Sequence, residues 1–214
     1  MVPRTARLNE RAIAEAALAV IDTEGIDALT MRRLAGRLST SPMALYHHLP
    51  DKDAVLEAVA QLLLVEVEAP PPGLEWRETV RRIMRSARAV ALRHPNAAPL
   101  IARFPPRTPD ALAFIEAGFR SFLAAGFSAS ATATTYRTLV AYSLGIQGVE
   151  LGGYFAVHAA ARAPGDSLDQ PSADRLLPAV AEIGPRLAAC DPDQEFECGL
   201  DILIAGIEAL LPRR

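Results

Sequence analysis

Between residues 30 and 52 the chain gathers side chains able to hold phosphate and to lie against base edges. Tyr46 and Lys52 have the reach to hold phosphate oxygens, and Thr30, read as a helix N-cap, can offer its hydroxyl and a backbone N–H to another. The segment opening at Ser41 would expose Ser41, Met43, Ala44, Tyr46, His47 and His48, small and polar groups suited to a DNA major groove about 12 Å wide. Plainer roles stand beside these: His47 and His48 as solvated surface, Met43 packed inward, Arg32 and Arg33 as an ordinary charged face. Metal ligation by the two histidines is disfavoured, because neighbours on a helix point apart and no HExxH spacing is present.

Catalytic chemistry finds little to work with. The histidines are His47, His48, His94 and His158, and no nucleophile elbow, phosphate loop or metal-spaced cluster accompanies them. No enzyme activity, cofactor or bound metal is expected.

The elements that must position the 30–52 segment read as helices. Ile13, Ala16, Ala17, Val20 and Ile21 recur at the spacing of one buried helical face, from about Asn9 to Glu24, and Gly25 allows the stop. A short second helix follows Thr30, with Met31, Leu34, Ala35 and Leu38 as its apolar stripe. After the turn at Ser39, Thr40 and Ser41, the Ser41–Pro42 pair is a cap followed by a proline at the first helical position. The third helix runs to about His48, with Leu45 inward, and Asp51 caps a fourth at about 51–68. Two short helices joined by about four residues, flanked by longer ones, make a helix-turn-helix. Prolines and glycines then bound helices near 75–93, 95–103, 108–125, 128–157, 173–189 and 194–211, with a loop rich in Pro, Gly, Asp and Ser at 162–172. The expected fold is all-α: a head at 1–52, a connecting fourth helix, and a regulatory and dimerisation body at 69–214.

Half of the 214 residues are apolar and 22% charged, which suits a globular chain. The net charge of −3 divides as +1 over residues 1–52, from seven basic and six acidic side chains, and −4 over the rest. Such a head binds nucleic acid only by concentrating its positive groups on one face. No secretory leader is read before the first helix, and no apolar run reaches the roughly 18 residues of a membrane span. A cytoplasmic location without membrane association is expected, with Cys190 and Cys198 as free thiols.

The run from Gly25 through Leu29-Thr30-Met31-Arg32-Arg33-Leu34-Ala35, then Ala44-Leu45-Tyr46-His47-His48-Leu49 and Asp51-Lys52, resembles the DNA-binding domain of the tetracycline-repressor (TetR) family. Trp76-Arg77-Glu78, Arg93-His94-Pro95, Ala125-Gly126-Phe127-Ser128 and Phe196-Glu197-Cys198-Gly199-Leu200 resemble its regulatory domain. The resemblance implies a dimeric repressor that binds a palindromic double-stranded DNA operator and is released by a small-molecule effector. By it, Arg32 reaches a base, Pro42, Met43 and Ala44 occupy base-reading positions, and Thr30, Tyr46, His47, His48 and Lys52 stand on the phosphate side. Ser39 takes the place of the customary glycine. If that site needs φ > 0, serine there carries strain of about 1 kcal/mol or more.

For the body, the resemblance offers Ile83, Ala87, Leu100, Phe104, Ile115 and Phe119 as lining of a largely apolar effector pocket, although the same residues would serve as plain core. Ile83, Ala87 and the aliphatic neighbours of Leu100 stand where a magnesium–tetracycline complex would need amide and histidine groups, so that ligand is not expected. The helices at about 128–157 and 194–211 are implied to pair with their symmetry mates. Small residues on the first (Gly145, Gly148, Gly152) and the stripe Leu200, Leu203, Ile204, Ile207 and Leu211 on the second suggest the contact, with intramolecular core as the alternative. Two other functions remain open from sequence: an activator on the same architecture, and a helical ligand-binding or scaffold protein that has lost operator recognition.

Overall fold

The computed structural model describes residues 8–153, 177–188 and 191–211, in ten α-helices and one 3₁₀ turn, with no strand among them. The loop at 162–172, His158, Cys190 and residues 154–157 and 173–176 of two expected helices lie outside the described residues. The chain divides into two compact units between Thr132 and Ala133.

In the first unit, α1 (Glu10–Glu24) is capped by Asn9, whose side chain accepts from the Ala12 N–H at 2.8 Å. It stops at Gly25, where φ is +84°. The 3₁₀ turn Ile26–Ala28 leads to α2 (Met31–Arg37), then α3 (Pro42–Tyr46) and α4 (Lys52–Val65). Thr30 caps α2, Ser41 caps α3 ahead of Pro42, and Asp51 caps α4 by accepting from the Ala54 N–H at 2.7 Å. Caps of this kind contribute about 1 kcal/mol each, which matters most for helices as short as α2 and α3.

Ile13, Ala17, Ile21, Leu34, Leu45, Val55, Val59 and Leu63 are buried together, with α1 packed along α4. Each buried Ile, Leu or Val among them contributes about 1.5–3 kcal/mol. The same cluster continues into Val90, Ala97 and Leu100, so α4 shares one core with the helices that follow it.

The turn between α2 and α3 settles the question of Ser39. Its N–H donates to the Gly36 carbonyl at 3.1 Å, and the Thr40 N–H donates to that of Ala35 at 2.9 Å. That pair of bonds is a Schellman ending, whose outer residue must be left-handed, and Ser39 holds φ at +51°. The left-handed backbone costs a non-glycine residue about 1–2 kcal/mol, while glycine would give the unfolded chain about 0.4–1 kcal/mol of extra entropy. Ser39→Gly is therefore expected to stabilise the protein by roughly 0.5–1 kcal/mol, seen as a higher Tm. A lower Tm would contradict the strain.

The body begins with α5 (Trp76–Arg93), α6 (Pro99–Arg103), α7 (Pro109–Ala124) and α8 (Ala129–Leu151). A ring cluster of Trp76, Phe122 and Phe127, with centroids 5.2–5.7 Å apart, ties the start of α5 to the end of α7. The sixth helix is shorter than the expected 95–103. Residues 95–98 form turns instead, with the N–H groups of Ala97 and Ala98 both donating to the His94 carbonyl. Pro99 has no N–H to give a carbonyl four residues back, and so suits only a first helical position.

The second unit holds most of α8, then α9 (Pro178–Ala188) and α10 (Pro192–Glu208). The expected 128–157 helix ends early, at Leu151, and Gly153 follows at φ +69°. α10 starts two residues earlier than expected, because Asp191 caps it by accepting from the Asp193 N–H at 2.9 Å and Pro192 takes the first turn. Tyr142 of α8 stacks on Phe196 of α10 and donates its hydroxyl to the Phe196 carbonyl at 2.7 Å. A Cβ at Gly199 would overlap that phenol, at 2.9 and 3.0 Å from Cε2 and Cζ, so the close approach requires glycine.

Of the expected stripe on α10, Leu200, Ile204 and Ile207 are buried within the single chain together with Phe196 and so serve its own core, while Leu203 and Leu211 are half-buried. What α10 leaves open is its other side, with Ile202 at 73% exposure, Gly206 and Leu210. On α8 the exposed residues Ala141, Gly145, Gly148 and Gly152 recur at helical spacing as a second open stripe.

Candidate nucleic-acid interface

Leu45 is the pivot of the interface: it is fully buried against the core, and its burial forces the opposite side of α3 outward. Pro42, Met43, Tyr46, His47 and His48 are exposed, Met43 at 67% and Tyr46 at 45%, while Ala44 is half-buried. Met43 therefore does not pack inward. The Ser41 hydroxyl oxygen accepts from the Ala44 N–H at 3.2 Å, which pins the first turn of the helix.

On α2, Arg32 and Arg33 part company. Arg33 pairs with Glu24 at the end of α1, whereas Arg32 is exposed and has no ion-pair partner among the described residues. Thr30 is exposed, with its oxygen accepting from the Arg33 N–H at 3.2 Å. Lys52 sits deeper than its neighbours: its ammonium donates to the Ile26 carbonyl at 3.2 Å, fastening α4 to the 3₁₀ turn. Two of its three protons remain for another acceptor. Of the residues singled out in the sequence, Thr30, Arg32, Ser41, Pro42, Met43, Tyr46, His47 and His48 are exposed, and Ala44 and Lys52 are half-buried.

The candidate effector residues fall on three helices of the first unit. Ile83 and Ala87 are half-buried on α5, Leu100 is buried on α6 with half-buried Phe104 at its end, and Ile115 (buried) and Phe119 (half-buried) lie on α7. Leu100 belongs to the main core cluster, and Ile83, Ala87 and Phe104 pack against it, whereas Ile115 and Phe119 stand outside it. Gly118 of α7 brings the two helices close, since a Cβ there would lie 3.6 Å from Ile83 Cδ1.

Two sets of polar contacts, invisible in the sequence, join these helices to the head. Asp53, Glu57 and Gln61 recur every four residues along α4 and grip the segment after α6. Arg103 reaches Asp53 at 2.9 Å, Arg107 reaches Glu57 at 2.8 Å, and Gln61 donates to the Pro105 carbonyl at 3.0 Å while accepting from the Arg107 N–H at 2.9 Å. These exposed pairs contribute at most about 1 kcal/mol each, so their effect is to hold register rather than to stabilise. At the other end of α4, His94 Nδ1 lies 2.8 Å from the Asp22 carboxylate of α1 and Nε2 lies 3.4 Å from Glu66. Asn96 donates to the Asp22 carbonyl at 3.0 Å. The spacing of the acidic residues on α4 was readable in advance. Their partners Arg103 and Arg107, each fifty residues away, were not, nor was the His94 partner of Asp22, seventy-two residues away.

Comparison with known proteins bears on almost the whole chain. Residues 13–59 match the family model of bacterial regulatory proteins of the tetR family, and residues 69–211 match that of the tetracyclin repressor-like C-terminal domain. An HTH-type transcriptional regulator of Saccharopolyspora erythraea is 32% identical over 94% of this chain and 85% of its own. The class A tetracycline repressor protein from transposon 1721 of Escherichia coli is 29% identical over 94% and 91%. Among solved structures, Streptomyces coelicolor ActR in complex with actinorhodin superposes with a TM-score of 0.81 at 27% identity, covering 98% of this chain and 97% of its own. ActR in complex with (S)-DNPA gives the same TM-score at 28% identity, over 95% and 98%.

Proposed function

The chain belongs to the TetR family of bacterial regulatory proteins, and from that premise we propose how it works. The protein is a ligand-responsive DNA-binding transcriptional repressor acting as a homodimer. Residues 1–52 are its reading head, α4 the connector, and 69–214 the effector-binding and dimerisation body, in the cytoplasm. No helix among the described residues is long and apolar enough to cross a membrane.

The observation that carries this reading is the outward face of α3, held in place by buried Leu45 and the Ser41 cap. Arg32 suits guanine O6 and N7, and Thr30, Tyr46, His47, His48 and Lys52 take phosphate positions. A dimer placing two such faces 34–36 Å apart reads two half-sites of a palindrome. Ile83, Ala87, Leu100, Phe104, Ile115 and Phe119 line a pocket for a small, largely apolar effector between α5, α6 and α7. Effector binding there shifts α6 and the 103–107 segment, and the Asp53, Glu57 and Gln61 contacts carry the shift to α4 and the head. To turn a dimer from 99% operator-competent to 99% released, the effector must favour the released geometry by about 5.5 kcal/mol.

The test titrates operator-bound dimer with an effector whose saturation is followed by calorimetry. Operator affinity is expected to fall by orders of magnitude as the body fills. Unchanged affinity at saturation would refute effector control, and no sequence-selective DNA binding at all would favour the scaffold alternative.

A further inference from the structure

Resting on the reading of the head as a DNA-binding module, we propose that this repressor recognises its half-sites chiefly through thymine C5-methyl groups, met by the apolar leading edge of α3. The side chains that open the helix, Pro42, Met43 and Ala44, carry no hydrogen-bond donor. Met43 keeps 67% of its surface in water, an unusual position for a flexible thioether with no core to fill. Ser41, just before them, accepts from the Ala44 N–H as the helix cap and keeps its own O–H as the nearest side-chain donor. Tyr46, one turn along the helix, is exposed and carries its hydroxyl at the far end of a ring, a reach that suits a phosphate.

A major groove offers such a surface one apolar feature, the methyl of thymine. Guanine, adenine and cytosine edges pressed against Met43 would instead lose water without gaining a partner, and an unmet polar edge is penalised. Arg32, exposed on α2, is then the principal donor for a base, while Arg33 is held by Glu24. The half-site is therefore a run of methyl-bearing positions beside a guanine.

The experiment uses the full-length dimer to select duplexes from a random double-stranded pool, then replaces each thymine of the enriched duplex by uracil, which lacks only the methyl. Each contacted position is expected to weaken binding about fourfold, the value of one buried methyl-sized group. In Met43→Ala, whose exposed site leaves the fold intact by circular dichroism, the uracil penalty at one position per half-site is expected to fall to about onefold. An enriched duplex bound equally well with uracil throughout would overturn methyl recognition while leaving the DNA-binding reading in place. The same holds if Met43→Ala keeps every uracil penalty. If no duplex is enriched, the underlying reading falls, and this inference with it.

Discussion

Arg32→Ala combined with Tyr46→Ala is expected to lower operator affinity roughly a hundredfold or more, with the dimer and the helical content unchanged. A good bidentate base contact is worth about 1–3 kcal/mol, and a hydrogen bond to a charged phosphate about 1.5–3 kcal/mol. Each loss counts at both half-sites of a palindrome. Both side chains are exposed, and neither belongs to the core that Leu34 and Leu45 build beneath them, so truncation costs the fold little. The two contributions are separable. Loss of Arg32 relaxes base preference at one position, whereas loss of Tyr46 weakens all sequences alike. Affinity within threefold of the wild type would place the reading surface elsewhere on the head.

Ile202→Glu is expected to turn the dimer into a monomer and, with it, to reduce operator affinity by about a hundredfold or more, the usual gain from linking two binding modules. In a single chain Ile202 is 73% exposed, so a carboxylate there is tolerated. Against the symmetry mate, two carboxylates would leave water together in an apolar contact, a penalty of several kcal/mol per ion. Sedimentation velocity reads the first effect and operator titration the second. If the Ile202→Glu chain still sediments as a dimer and binds normally, the open side of α10 is not the subunit face. Leu200→Glu offers no such clean result, because Leu200 is core and its loss would unfold the unit.

The contrast between Ile202 and Leu200 shows where sequence reasoning reached and where it stopped. Periodicity identified α10 and its apolar stripe, but a helix with two apolar sides does not say which one its own chain covers. Phe196, Leu200, Ile204 and Ile207 are claimed by the chain itself, with Tyr142 fixing the depth through Phe196 and Gly199. The head was legible almost residue by residue, because its signals are local. Asn9, Thr30, Ser41 and Asp51 cap within three residues of themselves, and the chain after α2 needs a left-handed residue wherever it turns back. Even the strain at Ser39 followed from a serine standing where glycine was expected. The grip of Asp53, Glu57 and Gln61 on Arg103, Pro105 and Arg107 was beyond reach, as was the seat of His94 between Asp22 and Glu66. Each depends on how α6 and its flanking turns approach α4, and Pro105 and Pro106, which follow α6, end a helix without aiming the next one.

As the reading helix, α3 lies in a major groove and distinguishes one sequence from another. Fluorescence anisotropy of the full-length dimer against its selected duplex, and against a scrambled duplex of equal composition, tests this at physiological salt. Binding to the selected duplex is predicted to be about a thousandfold tighter or more, the margin that separates specific from non-specific recognition. Equal affinity for the two duplexes would contradict the account, since phosphate contacts alone would then explain all the binding there is.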